Sequence, residues 1–281
     1  MKLWHVFFVL VIVFIVGCGS GGGGDHVITT NFKQGTADVS MTLVENAPPK
    51  EVYKGSQITM IVDVQNELAY DIDNAEIKLL GFDDTYFDFV STEKRLAKLT
   101  GKSYTNPSGD REFVQFDGIS GELLEGAREY LANYFIVFNY DSTLEFADTV
   151  CVSTNLYEIY DAGCKVEEKK TYSGQGAPLA ITEVEEIVSS LGFEFRLHLK
   201  KRGKGEIEHV TLGSTMLGAD VLSCSFQEEN SNRIEWDSST QEVIVICRAD
   251  AISSDSYTTT LTADFSYGYE LTEQKQLRLV K

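Results

Sequence analysis

Apolar and polar residues alternate with a period of two along most of the chain. Val39, Met41 and Leu43 alternate with Asp38, Ser40 and Thr42. Ile58, Met60, Val62 and Val64 alternate with Gln57, Thr59, Asp63 and Gln65, and Ile61 is the one apolar exception. Phe193, Phe195, Leu197 and Leu199 alternate with Glu194, Arg196, His198 and Lys200. Tyr257, Leu261, Ala263, Phe265, Tyr267 and Tyr269 keep one parity, and Leu277 and Leu279 repeat it. Successive side chains of a strand point to opposite faces, so each segment reads as a half-buried strand. Many such strands separated by turn residues predict an all-β fold built from antiparallel sandwiches.

One stretch departs from this pattern. Ile119, Leu123, Leu124, Ala127, Tyr130, Leu131, Tyr134 and Phe135 fit a helical period, yet residues 134–140 have strand composition. A turn or short helix near 122–126 and a strand over about 129–140 are expected. The clearest internal punctuation is Ser173-Gly174-Gln175-Gly176-Ala177-Pro178, a turn-forming cluster. It divides the chain into expected domains at 36–175 and 176–281. The two halves also look related. A shift of 135 positions lays Ile58, Met60, Val62 and Val64 on Phe193, Phe195, Leu197 and Leu199. The same shift lays Ile72, Ala75 and Ile77 on Ile207, Val210 and Leu212. Duplication of one sandwich accounts for both matches.

The N-terminus reads as an address. Residues 3–16 are apolar except for His5, too short for an ordinary membrane-spanning helix and suited to a signal peptide. Gly17-Cys18 closes that run and looks like a prokaryotic lipobox. Residues 1–17 are therefore expected to be removed and Cys18 to carry the lipid anchor. Gly19-Ser20-Gly21-Gly22-Gly23-Gly24 then reads as a flexible tether, within an expected lipidated and glycine-rich segment at 18–35. Its match to a dinucleotide fingerprint is spurious, because no strand precedes it and no helix follows. The expected location is the extracytoplasmic side of the cell membrane.

Lipidation leaves four cysteines, Cys151, Cys164, Cys224 and Cys247. Four cysteines allow three pairings. Cys151–Cys164 and Cys224–Cys247 are expected, because each pair lies within one proposed domain, and an oxidising exterior favours bridges over buried thiols. Charge narrows the partners. Asp and Glu number 43 against 24 Lys and Arg, a net charge of −19. That balance argues against general binding of nucleic acid or of anionic lipid.

Some residues carry a family resemblance. Val62-Asp63-Val64-Gln65-Asn66, a polar turn, and then residues 72–81 resemble the CARDB-like immunoglobulin-type domains of prokaryotic surface proteins. Residues 45–53 resemble the opening of such domains in archaeal-type surface lipoproteins. The resemblance covers 38–90 best and 180–281 more loosely. It implies an immunoglobulin-like sandwich and no particular activity.

The chemistry-bearing residues nominate no catalytic site, and no cofactor is expected. A metal site would need His198 and His209 to converge with a carboxylate such as Glu206 or Glu208, and an exposed surface role is the preferred reading. Neither H-E-x-x-H nor G-x-S-x-G occurs. Asp71, Asp73 and Asn74 in one turn, and Asp83 and Asp84 in another, raise calcium binding against plain solvated turns. The basic run Lys200-Lys201-Arg202-Gly203-Lys204 reads as a solvated hairpin tip, with contact to an acidic surface polymer as the alternative. Tyr130, Tyr134 and Tyr140 offer a carbohydrate platform or core packing, and core packing is preferred. The expected function is non-catalytic: a lipid-anchored surface protein with a structural or protein-binding role, its partner an envelope protein or surface polymer. The alternatives are a carbohydrate-binding or accessory module of an envelope enzyme or transporter, and a hydrolase with an unrecognised site.

Overall fold

A computed structural model describes residues 31–152, 164–189, 192–250 and 256–281. Cys18 and the glycine-rich stretch lie outside the described residues. The described residues form strands and turns, with no helix among them. The first half contributes β1 (Gly35–Thr36), β2 (Val39–Leu43), β3 (Glu51–Tyr53), β4 (Gln57–Asn66), β5 (Ile72–Leu80), β6 (Phe87–Phe89), β7 (Glu93–Arg95), β8 (Arg111–Ser120) and β9 (Glu129–Val152). The second half contributes β10 (Lys169–Thr171), β11 (Gln175–Ala177), β12 (Leu179–Ser189), β13 (Gly192–Lys201) and β14 (Glu206–Leu217). It ends with β15 (Asp220–Val221), β16 (Ser223–Phe226), β17 (Arg233–Glu235), β18 (Glu242–Asp250) and β19 (Tyr257–Val280).

The fold is an all-β sandwich arrangement, and the two halves follow a similar strand plan. In the first, β2-β4-β8-β6 form a sheet. In the second, β12-β13-β18-β16 form its counterpart, and β10 adds an edge to β12. β5 carries β7 and pairs with β9, just as β14 carries β17 and pairs with β19. The 135-residue shift thus matches β4 with β13 and β5 with β14.

β9 and β19 join the halves. Each is 24 residues long, against a usual 3–10 for a strand. They pair antiparallel along their whole length, from Glu129↔Val280 to Val152↔Tyr257. At about 3.3 Å per residue the ribbon is roughly 80 Å long. The buried side of β9 stays on even positions throughout: Tyr134, Ile136, Phe138 and Tyr140 in the first sandwich, then Leu144, Phe146 and Val150 in the second. Constant parity puts both smaller sheets on the same face of the shared sheet. The helical period of 119–135 is not realised, because the chain turns at 125–126 and enters β9, where burial alternates from Glu129 to Ile136.

The segment 173–178 is packed rather than open. Gln175–Ala177 is fully buried and pairs in parallel with Gly35–Thr36. The Gln175 side chain donates to the Ile181 carbonyl at 3.0 Å and accepts from the Ile181 amide at 2.9 Å. A Cβ on Gly176, whose φ is 76°, would lie 2.2 Å from the Phe32 carbonyl oxygen. The glycine composition there serves close approach of two backbones.

The backbone of the hairpin tip after β13 is docked, while the Arg202 and Lys204 side chains of the basic run stay exposed. The Lys204 amide donates to Asp38 Oδ2 at 2.8 Å, and the Gly205 amide donates to the Tyr269 hydroxyl oxygen at 2.6 Å. The Tyr269 hydroxyl in turn donates to Asp38 at 3.1 Å. A Cβ on Gly203 would fall 2.2 Å from that hydroxyl oxygen, so the turn needs glycine to reach the first half. Burial, with Asp38 beside it, pushes the Tyr269 hydroxyl well above its ordinary range and keeps it a neutral donor.

Candidate functional site

The densest arrangement of ligand-type side chains lies on the outer face of the five-stranded sheet. It is built by a β-bulge. β12 and β13 pair Ile181 with Leu199, then Glu183 with His198, which leaves Thr182 as the extra residue. Before the bulge, odd positions of β12 face the core (Leu179, Ile181); after it, Val184 does. The extra residue thus moves Glu183 and Glu185 to the outer face, beside His198. Glu242 reaches the same ring from β18, on the other side of β13.

His198 is held from three sides. Its Nδ1 hydrogen-bonds Glu242, and a carboxylate acceptor there puts a proton on Nδ1, so that the neutral ring carries its lone pair on Nε2. Nε2 lies 3.7 Å from Glu183 Oε1 and 3.7 Å from Glu185 Oε2. Both gaps exceed a hydrogen bond, and Nε2 is buried with no hydrogen-bond partner. The His198 side chain is only 12% exposed, so the expected surface histidine is a covered one. Two lysines balance part of the charge. Lys169 lies 2.6 Å from Glu183 and 3.6 Å from Glu185, and Lys200 lies 3.3 Å from Glu242. The bond to Glu183 raises the Lys169 pKa. Burial pushes the Glu242 carboxyl up, but His198 and Lys200 outweigh it and hold the pKa below its usual value.

The other expected residues are placed elsewhere. His209 lies on β14, in the shared sheet, and does not meet His198. Glu206 pairs with Lys201 at 2.6 Å. Glu183, Glu185 and Glu242 escaped the sequence reading. The signal for the first two was the change of apolar parity between Ile181 and Val184, which marks the bulge. Asp71 accepts from the Gly101 amide at 3.0 Å and pairs with Lys98 at 2.9 Å. Asn74 donates to Asp141 at 2.8 Å. Asp83 caps its own turn, accepting from the Thr85 amide at 2.9 Å. The first turn is held by bonds to distant segments and the second by a bond within itself. Among the described residues, only Glu183, Glu185 and His198 bring three metal-ligand types close enough to share an ion. Tyr134 and Tyr140 are core residues, and Tyr130 is half-buried and stacks on Tyr86 at 3.9 Å. None of the three belongs to an open platform.

Both disulfides form as expected, Cys151–Cys164 and Cys224–Cys247. The first lines a cavity of about 190 Å³ with Lys170, Val184 and Glu186. Glu186 is 6% exposed, and its Oε1 has no hydrogen-bond partner. Burial pushes its carboxyl up to about 7, with Lys170 pulling slightly the other way.

No family model matches the chain, and no curated protein does. Among solved structures, a collagen adhesin from S. aureus aligns over 88% of this chain and 94% of its own. The identity is 8% and the TM-score 0.10, too low to carry an argument about fold or function.

Proposed function

We propose that this chain is a non-catalytic surface protein, anchored through a lipid on Cys18, whose two joined sandwiches hold a binding surface away from the membrane. We place it with CARDB-like surface lipoproteins. The observation that carries the reading is the β9–β19 ribbon. Two sandwiches on a flexible hinge would move independently. Here 24 paired residues on each strand cross from one sandwich into the other, and the docked tip at Asp38 fastens the junction again. A stiff arm of that kind suits presentation or spacing. Its net charge of −19 repels anionic headgroups, so the lipid and glycine tether are left to hold it at the membrane.

The test has two arms. Cys18→Ser should move the protein from the membrane fraction to the soluble fraction and abolish acyl labelling. Crosslinking on intact cells followed by pull-down should recover a specific envelope partner with the anchored form. Unchanged membrane retention of Cys18→Ser rejects the anchor. Recovery of no specific partner, together with turnover of a substrate by the purified chain, rejects the non-catalytic role.

A further inference from the structure

We propose that Glu183, Glu185 and His198 form a site for a single divalent transition-metal ion, with Lys169 as the cation that the metal displaces. The ligand set comes from one bulged hairpin and is braced by a third strand. His198 Nε2 is the central observation: a ring nitrogen, buried and without a hydrogen-bond partner, aimed between two carboxylates. Left to themselves, three acceptors in that arrangement repel. Lys169 answers for the carboxylates, but its bonds go to Glu183 and Glu185 and leave Nε2 unmet.

The spacing fits a metal better than a hydrogen bond. Nitrogen and oxygen ligands sit about 2.0–2.2 Å from zinc, which separates neighbouring ligands of a tetrahedron by about 3.4 Å. The two observed separations from Nε2 are 3.7 Å, and one ligand atom from each residue lies within 4.8 Å of the others. A contraction of a few tenths of an ångström brings each carboxylate to that distance from Nε2. Glu242 supplies the partner that metal-binding histidines characteristically have: a carboxylate on the other ring nitrogen, fixing the tautomer and the ring plane. One imidazole with two carboxylates suits zinc and its first-row neighbours, and three protein ligands leave a fourth position open to solvent or to a donor from a partner. The site lies on the outer face of the five-stranded sheet. It stands independently of the lipid anchor and of the arm's role.

Titration of the full-length chain with Zn²⁺ alone, followed by calorimetry, tests the site. A Cys18→Ser background removes the one thiol outside the disulfides. The expected result is one ion per chain, bound at least tenfold more weakly by His198→Gln and as before by His209→Gln. Glu242→Gln should weaken binding by about 10–100-fold, as loss of such a bracing partner does. Lys169→Met should tighten it, and this variant decides the matter if His198→Gln does not fold. Nitrogen NMR of His198 should show Zn²⁺ shifting Nε2 while Nδ1 keeps its proton. No uptake of Zn²⁺, equal affinity in His198→Gln, or an Nε2 signal that responds to protons and not to Zn²⁺ overturns the proposal.

Discussion

The two sandwiches share a strand plan but are fastened by different means. The first relies on aromatic packing: Phe82 lies 4.5 Å from the Tyr134 ring and 5.2 Å from that of Phe87, and Tyr86 stacks on Tyr130. It contains no disulfide. Both bridges serve the second, because Cys151 sits at the far end of β9, where that strand has already crossed over. The polar groups in the two interiors differ as well. Asn66 is fully buried and fully bonded, while Glu186 is buried with one oxygen unmet. One topology therefore tolerates two solutions, provided the alternating face is apolar. The shared ribbon then decides whether the two solutions remain separate in stability.

The largest effect should come from the aromatic side. Phe87 is 1% exposed, and Phe87→Ala should cost about 3–5 kcal/mol, the usual range for emptying a buried phenylalanine site. The informative readout lies in the other sandwich. Trp236 is buried there and donates to the Thr240 carbonyl at 3.1 Å. In a Trp4→Phe background its fluorescence should follow the same shifted denaturant midpoint, because the ribbon ties the halves into one transition. A Trp236 midpoint that stays put would show two independent halves.

Removing the bridge between Cys224 and Cys247 should cost about 3 kcal/mol in the chain-entropy account. The measurement is the same denaturation of a Cys224→Ala/Cys247→Ala double variant. Removal of Cys151–Cys164 should cost a similar amount, since its closed loop is only somewhat shorter. Dithiothreitol should have no further effect on a variant lacking both bridges. If reduction leaves the wild type as stable as before, the contrast between aromatic and disulfide fastening fails.

Equivalent positions in the repeat sharpen the comparison further. At the end of β4, the Asn66 side chain donates to the Tyr70 and Leu99 carbonyls, each at 2.9 Å, and accepts from the Leu68 amide at 3.0 Å. At the end of β13 the matching residue is Lys201, partly exposed and paired with Glu206 at 2.6 Å. Asn66→Ala takes their partner from the Leu68 amide and the Tyr70 carbonyl, leaves the Leu99 carbonyl only the Ile72 amide at 2.9 Å, and should cost about 2–3 kcal/mol. Lys201→Ala removes a surface pair and should cost less than about 0.5 kcal/mol. Thermal denaturation of the two variants side by side checks this, and equal losses would mean the repeat uses both strand ends alike.

Much of the fold was legible because alternation is a local property. Val39–Leu43, Gln57–Asn66 and Gly192–Lys201 each carry their own parity. The cysteine pairs followed from placing each within one half. What escaped was non-local. The strand expected over about 129–140 runs on to Val152, across the junction of the halves. Nothing local to β9 or β19 says that they pair with each other, since that choice depends on how the halves assemble. The outer-face site was hidden for a related reason. His198 was visible as a residue, but its partners were set by a one-residue bulge in the neighbouring strand and by the register of a third.

The last contrast separates the two interior polar groups by pH. Burial raises the Glu186 carboxyl from 4.5 to about 7 in the folded protein. Below about pH 4.5 the group is protonated in both the folded and unfolded chains and adds no pH dependence. Between there and pH 7 the unfolded chain releases its proton while the folded one holds it, so the folded state loses stability as pH rises. Above 7 the loss is complete. The amide Asn66 has no such dependence. Glu186→Gln should therefore flatten this part of the pH profile and gain about 2 kcal/mol near pH 8 relative to the wild type. At pH 4 the two proteins should be nearly equal. Parallel profiles from pH 4 to 8 would place the Glu186 proton elsewhere and leave the two interiors equivalent in their response to pH.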